Sequence, residues 1–502
     1  MPNYGELSKG VSAQATSMKR RNFLRSSLLL SGSILLSRSN FAQMVRDSAV
    51  PVDLAIDIPQ QGHKILPSFT GLSYEKAQLG NPNFFAGTNT RLAGLMRTLG
   101  RHGVLRIGGN TSDEHTFWNR REIPSVEEGQ MTAGPDTGRH PLRKVIITPR
   151  AIMNLKAFLD ATGWTVIYGL NLGKGTPENA ADEAAFVMET LGQDKVVAFQ
   201  LGNEPDAFVL TRLRPKTWGV EDYLAEWHQF YKAVKERVPD APFAGPDTAT
   251  NVSWLMPFAE KFSDCVRFLS SHYYAIRRPT GTIEQLLSPS QRLYQEMDAV
   301  HQVQNAIGLP FRMTETNSCP SGKPGVSDTF AAALWASDYM YQLAEAGNIG
   351  INFHGGGYGW YTPIAGTPEA GFLARPEYYG LLLFAQAGPG QLVSAKLSGT
   401  EDAPLLTAYA LRGEDGHLRV ALFNKNADKD VVVKISGSAG LGAKLMRLEA
   451  PRLDDTTDVT FGGSVVGADG RWLPMVEERV PSRNGLYMVY LKRASGALVR
   501  VS

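Results

Sequence analysis

Eight short apolar runs, separated by stretches of helical periodicity, restrict this chain to very few architectures. The runs occupy 68–75, 104–109, 165–172, 196–203, 243–247, 266–274, 311–315 and 350–356. Between them, 89–99, 149–161, 180–191, 221–237 and 328–346 carry apolar residues at helical spacing. Apolar runs of strand length read as buried strands, and a helix between each pair makes the connections crossovers. Pro149 suits a first helical position with Thr148 as N-cap, and Gly163 suits the close of that helix. The repeat predicts an α/β fold, a (β/α)8 TIM barrel over 68–385, with functional residues at the C-terminal ends of its strands.

From 386 to 502 the pattern changes to short runs such as 405–411, 418–423, 431–435, 444–448 and 486–491, divided by Gly, Asp and Asn turns. Those runs predict an antiparallel β-sandwich. The extended run 52–58, inside an N-terminal segment 49–67, is expected to add a strand to that sandwich and so tie the chain ends together.

Residues 1–42 read as a targeting segment. Lys19-Arg-Arg-Asn-Phe-Leu-Arg25 precedes an apolar stretch, 27–36, too short to cross a bilayer comfortably. This pattern resembles a twin-arginine export signal. It predicts an exported, periplasmic or secreted protein, with no stable membrane span after signal removal, or a membrane-anchored one if the segment stays uncleaved. A formal charge of +2 with 20% charged residues offers no basic tract, so a nucleic-acid partner is not expected. Cys265 and Cys319 match no metal-ligand spacing. They fall near opposite ends of neighbouring strands, too far apart for a disulfide.

Two charges interrupt the apolar pattern where a barrel would place its site. Glu204, in Gln200-Leu-Gly-Asn-Glu-Pro-Asp206, ends the fourth run, and Glu315, in Thr314-Glu-Thr-Asn-Ser318, ends the seventh. Buried strands carry a charge at the tip only at some cost. In a barrel, tips four and seven face each other across the mouth. Two carboxyl groups there suit retaining glycosidic cleavage, one donating a proton to the leaving oxygen and one attacking, with about 5 Å between them. This chemistry calls for no metal and no cofactor.

Taken in order, Gly71-Leu-Ser-Tyr-Glu75, Val104-Leu-Arg-Ile-Gly-Gly-Asn-Thr-Ser-Asp113, Gln200-Leu-Gly-Asn-Glu-Pro-Asp206, Ser271-His-Tyr-Tyr274, Thr314-Glu-Thr-Asn-Ser318 and Ser327-Asp-Thr-Phe-Ala-Ala332 resemble glycoside hydrolase family 79. That family contains β-glucuronidases and heparanase. The resemblance implies that Glu204 is the acid/base and Glu315 the nucleophile. An acid must keep its proton near neutral pH, whereas a nucleophile must stay ionised and oriented by donors. Tyr274 and Arg106 are the candidate donors to Glu315, Asn203 would bond a sugar hydroxyl, Glu75 would bind further hydroxyls, and His272 would support the site by packing.

The same resemblance points to the stretch Asn352-Phe-His-Gly-Gly-Gly-Tyr-Gly-Trp-Tyr361 as the feature that recognises a glucuronate carboxylate, with Tyr361 the counterpart of the family's tyrosine. Gly357 allows close backbone approach, and Tyr358 adds a stacking face. Basic residues at strand-end loops, Lys76, Lys174, Arg212, Arg214, Lys216, Arg277, Arg278 and Lys323, hint at an acidic substrate. The sequence departs from the family at Cys319-Pro-Ser-Gly-Lys-Pro-Gly325, where relatives often carry tyrosine followed by glycines. The expected activity is a retaining, exo-acting β-glucuronidase whose partner is a glucuronide or a glucuronic-acid-containing glycan. The alternatives are a retaining β-glycosidase of the same clan acting on a neutral sugar, and a non-hydrolytic glycan-binding relative.

Overall fold

The computed structural model describes residues 48–501, apart from 122–143, 250, 278–279, 438–439 and 441. The export signal expected over 1–42 and the loop residue Arg278 lie outside the described residues. Eight parallel strands close into a barrel in chain order: β2 (Thr70–Glu75), β3 (Val104–Gly108), β4 (Thr165–Leu170), β5 (Val196–Leu201), β6 (Phe243–Thr248), β7 (Leu269–Tyr274), β8 (Phe311–Asn317) and β9 (Ile351–Gly355). Each is followed by a main helix: α1 (Thr90–Thr98), α2 (Pro149–Thr162), α3 (Pro177–Leu191), α4 (Val220–Arg237), α5 (Leu255–Phe262), α6 (Gln291–Ile307), α7 (Phe330–Glu345) and α8 (Pro376–Ala387).

The helix boundaries follow local chemistry. Pro149 opens α2 after an extended Thr148, and Gly163 closes it in the left-handed region at φ 79°, where a side chain would be strained. Thr148 occupies the N-cap position without a capping hydrogen bond from its side chain. The barrel strands are buried along almost their whole length, so the charged residues they carry, such as Arg106 and Glu315, are buried with them.

The chain beyond the barrel forms one continuous ten-stranded sheet that includes β1 (Val50–Ile65), β10 (Gly390–Ser398), β11 (Leu406–Gly413), β12 (Leu418–Asn424), β13 (Val431–Ser436), β14 (Gly442–Glu449), β17 (Tyr487–Leu491) and β18 (Ser495–Val501), with β15 (Thr460–Phe461) and β16 (Glu478–Pro481) pairing with β14. The N-terminal strand is interior to this sheet. It pairs antiparallel with β10 and parallel with β13. Val52, Leu54 and Ile56 of β1 share a core with Val420, Val433, Leu445, Val489 and Val499, so the sheet closes over itself as the two-layered, mostly antiparallel domain expected.

The other face of the sheet packs on the barrel. Tyr409 of β11 stacks on Tyr341 of α7 with centroids 4.8 Å apart. Beside them Asp338 of α7 accepts from Thr407 Oγ1 at 2.6 Å and Tyr409 OH at 2.8 Å and pairs with Lys425. This buried ionic contact anchors the barrel to the sheet.

Candidate active site

The site is organised around Arg106 in the second barrel strand, whose side chain is 1% exposed. A guanidinium keeps its charge and five N–H donors, so its burial demands acceptors and counter-charges. Nη1 donates to Glu315 Oε2 at 2.7 Å and Ser73 Oγ at 3.3 Å, and Nη2 to Asp247 Oδ2 at 2.6 Å and Asn203 Oδ1 at 2.7 Å. Nε donates to Gln200 Oε1 at 3.1 Å. One side chain thereby sets the relative positions of groups from the first, fourth, fifth and seventh barrel strands. The glycine pair in Leu-Arg-Ile-Gly-Gly is explained by this arrangement. A Cβ on Gly108 would lie 2.3 Å from the Arg106 guanidinium carbon, and one on Gly109, which has φ 72°, would lie 2.4 Å from the Glu75 carboxyl carbon.

Glu204 lies just beyond β5 with φ 53°, a left-handed conformation that a residue with a Cβ adopts at a cost of about 1–3 kcal/mol. Its N–H donates to the carbonyl of Asp247 at 2.9 Å. Asp247 is left-handed too, at φ 62°, where the β6–β7 ladder slips between Pro246 and Thr248. The two strained residues hold each other, and the contacts of the Asp247 carboxylate with Arg106, Gln200, Ser270 and Thr314 hold both in place. A second slip, between Met313 and Glu315 in the β7–β8 ladder, lets both Thr314 and Glu315 reach the barrel interior.

His272 lies between the carboxylates. Its Nδ1 is 3.0 Å from Glu204 Oε1, and Nε2 is 3.1 Å from Asp247 Oδ1, in ion-pair contact but off the line of a good hydrogen bond. Burial disfavours its charge, but Asp247, Glu315 and the bond to Glu204 outweigh that and push it up to about 10. The imidazole is therefore a buried cation at neutral pH, a stronger role than the packing expected from sequence.

Glu204 and Glu315 experience opposite environments. Burial, with smaller contributions from Glu315 and Asp206, raises Glu204 above the usual carboxylate range in spite of His272. Burial also pushes Glu315 up, but His354, His272, Arg106 and the Tyr274 hydroxyl overcome it and hold Glu315 down to about 2. Tyr274 OH donates to Glu315 Oε1 at 2.7 Å. One oxygen of each glutamate and a ring nitrogen of His272 lie within 4.8 Å of one another, which brings the two carboxyl groups as close as a retaining pair requires. The same three residues are the one group among the described residues spaced to hold a metal ion. Each of the three is already engaged by a protein partner, Glu315 by Arg106 and Tyr274 and His272 by Glu204.

The other residues named from sequence converge here to different degrees. Glu75 Oε2 accepts from Thr111 N at 2.9 Å and Thr111 Oγ1 at 2.6 Å, and its Oε1 lies 3.6 Å from His354 Nε2. Asn203 is fixed at three points, through Oδ1 to Arg106, through its N–H to Asp113 Oδ2 at 2.6 Å, and through Nδ2 to Asn110 Oδ1 at 3.2 Å. The Tyr361 ring packs against Tyr274 and His354, with centroids 6.3 Å and 5.9 Å away. Gly357, at φ 56°, accepts from Gly366 N through its carbonyl, and Tyr358 is half-buried in the same loop; neither contacts the carboxylate pair among the described residues.

The loop that departs from the family pattern packs against Tyr361. A Cβ on Gly322 would lie 2.8 Å from Tyr361 N, so only glycine permits this approach. Cys319 is buried at its start, and both Cys319 and Cys265 are free thiols.

The basic residues read as a lure for an acidic substrate are mostly engaged elsewhere. Lys76 is fully buried and pairs with Glu183 at 2.9 Å, which corrects its placement on a solvent-facing loop. Arg214 pairs with Glu226, Arg277 lies 3.4 Å from Glu296, and Lys174 and Lys323 bond the carbonyls of Glu114 and Gly281. Arg212 and Lys216 remain exposed. Sequence reasoning did not single out Asp247 or His354. Asp247 ends the fifth apolar run as Glu204 and Glu315 end theirs, so the same signal marked it.

No protein-family model matches the chain. It is 25% identical over 427 residues to a β-glucuronidase of Neurospora crassa, covering 74% of each chain, and 25% identical over 451 residues to a β-glucuronidase of Aspergillus niger, covering 79% of each. A 4-O-α-L-rhamnosyl-β-D-glucuronidase from Fusarium oxysporum has a similar fold, with a TM-score of 0.71 over 89% of this chain and all of that one at 18% identity.

Proposed function

From the premise that this chain is a glycoside hydrolase of the β-glucuronidase and heparanase-like family 79, we propose that it hydrolyses terminal β-linked glucuronides with retention of configuration. The observation that carries the reading is a pair of carboxyl groups, with an oxygen of each within 4.8 Å of the other, of which burial raises Glu204 above its ordinary value while its cationic neighbours and Tyr274 hold Glu315 down to about 2. In the first step Glu204 gives its proton to the glycosidic oxygen as Glu315 attacks the anomeric carbon, releasing the aglycone and leaving a glycosyl ester on Glu315. In the second, the Glu204 carboxylate takes a proton from water, whose oxygen displaces Glu315. Each residue ends as it began.

His272 assists at the step where Glu204 becomes charged, since its cationic Nδ1–H faces the new carboxylate. Arg106 and Tyr274 keep Glu315 ionised and aimed by one donor on each oxygen. Glu75 and Asn203 are read as sugar-hydroxyl partners and Tyr361, with Gly357 and Tyr358, as the carboxylate-recognising loop. The β-glucuronidases of Neurospora and Aspergillus support glucuronate as the sugar. A neutral sugar is the second reading, favoured by the engagement of Lys76 and Arg214 in ion pairs.

A panel of nitrophenyl β-glucuronide, β-glucoside, β-xyloside and α-arabinofuranoside tests the assignment, with proton NMR of the first-formed anomer testing retention. Preference for the glucoside over the glucuronide would overturn the acidic-sugar assignment, and an inverted product would overturn the mechanism. The segment 1–42 is read as an export signal, and fractionation of cells expressing the full chain tests it: protein confined to the cytoplasm would refute that reading.

A further inference from the structure

Behind the Tyr361 loop lies a carboxylic acid that the proposed chemistry does not use. Glu377, the second residue of α8, is 1% exposed. Its Oε2 accepts from Asn317 Nδ2 at 3.2 Å, while Oε1 is buried with no hydrogen-bonding partner among the described residues. Burial pushes this carboxyl far above its ordinary value, and the bond from Asn317 offsets only part of that. An ionised carboxylate so placed would cost several kcal/mol, so the surroundings favour the neutral acid.

Asn317 links this acid to the site. Its two Nδ2 hydrogens are shared among three acceptors, the carbonyls of His354 and Tyr361, both at 2.9 Å, and Glu377 Oε2 at 3.2 Å, while its Oδ1 accepts from Ser318 N and Oγ. One carboxamide thus joins the end of β8, the end of β9, the Tyr361 loop and the start of α8. The neighbouring Arg375 holds the same loop from its other side, with Nη1 donating to Gly359 O at 3.0 Å and its backbone N–H to Pro363 O at 2.9 Å.

We propose that Glu377 is a positioning residue for the first sugar subsite, orienting the Asn317 carboxamide so that it pins the carbonyls of His354 and Tyr361 and thereby sets the Tyr361 ring against Tyr274. A buried polar group that lacks one of its partners destabilises the fold, and its position under the loop gives that cost a use. The specificity part of this inference rests on the glucuronide reading; the positioning part does not.

The test compares wild type with Glu377→Gln, Glu377→Asp and Glu377→Leu. Gln preserves the neutral carbonyl acceptor, Asp withdraws it by one methylene with little change of volume, and Leu removes it. Two measurements are made: hydrogen exchange of the amides in 356–362, and kcat and KM on nitrophenyl β-glucuronide and β-glucoside. Gly356 N–H is bonded to Thr362 Oγ1 and Thr362 N–H to Gly359 O, so these amides report the loop. Asp and Leu are expected to speed their exchange and raise KM for the glucuronide by about tenfold each, with kcat nearly unchanged, and Gln to match wild type. If Leu does not fold, Asp decides. The inference is overturned if Gln behaves like Asp, or if Asp leaves both loop exchange and KM unchanged. A wild type that cleaves neither glycoside refutes the function while leaving the exchange comparison to decide the positioning.

Discussion

Tyr274 and Glu315, on neighbouring strands of the barrel, meet through a 2.7 Å hydrogen bond that occupies the glutamate oxygen not taken by Arg106. Donation to the ionised carboxylate is one of the reasons Glu315 sits at about 2. Removing it with Tyr274→Phe takes away a donor that favours the charged form, so the Glu315 pKa rises. The acid limb of kcat/KM should move to higher pH, and kcat/KM at neutral pH should fall by about ten- to a hundredfold, the worth of a hydrogen bond to a charged group. A pH profile that superimposes on wild type would rule out this role.

Glu204 and Glu315 are expected to respond differently to leaving-group activation. Glu204→Gln should cost about 10²–10⁴ in kcat/KM on a glucuronide with a poor leaving group, and much less on a dinitrophenyl glucuronide, which departs without a proton. Glu315→Gln should abolish turnover of both. Equal losses on both substrates for Glu204→Gln would remove it from the acid role.

The His272 cation gives the fold a defined alkaline limit. Its pKa is raised from 6.5 to about 10, so its contribution to stability is complete below pH 6.5 and is lost as pH rises through 10. Glu315, lowered from 4.5 to about 2, acts in the opposite sense, contributing fully above pH 4.5 and losing its share as pH falls toward 2. Denaturant midpoints measured from pH 6 to 10 should fall for wild type and flatten for His272→Gln. A parallel decline in both proteins would show that the alkaline loss arises elsewhere.

Breaking the buried contact between barrel and sheet should destabilise without changing the chemistry. Asp338→Ala leaves Lys425 buried without its counter-charge and removes the acceptor of Thr407 and Tyr409, at a cost of about 3–5 kcal/mol. Calorimetry should show a clear fall in Tm, while KM of the folded fraction stays at the wild-type value. An unchanged Tm would mean that the apolar contacts between barrel and sheet, among them Tyr341 with Tyr409 and Phe423, carry the interface without the ion pair.

The architecture was legible because its signals are local. Apolar runs and helical periodicity repeat within a few residues, and a charge at the end of such a run stands out wherever the strand later goes; Glu204 and Glu315 were found in that way. Strand order also followed, since crossovers through helices leave few arrangements. Asp247 carried the same local mark as the glutamates, but its importance depends on Arg106, 141 positions away in the chain. Lys76 shows the converse. Its place at a strand tip suggested a solvent-facing charge, but barrel closure brings it to Glu183, which buries and neutralises it.

Hydrophobic patterning and turn chemistry act over short stretches of chain, and they suffice for a barrel with two opposed carboxylates, a second domain rich in short strands, and an N-terminal strand returning to it. Which charges pair, the cationic state of His272 between Glu204 and Asp247, and the placement of Asn317 and Glu377 behind Tyr361 all follow from how the chain closes on itself. Those outcomes depend on burial and on distances between residues far apart in sequence, and burial is the quantity that sets the cost of a charge.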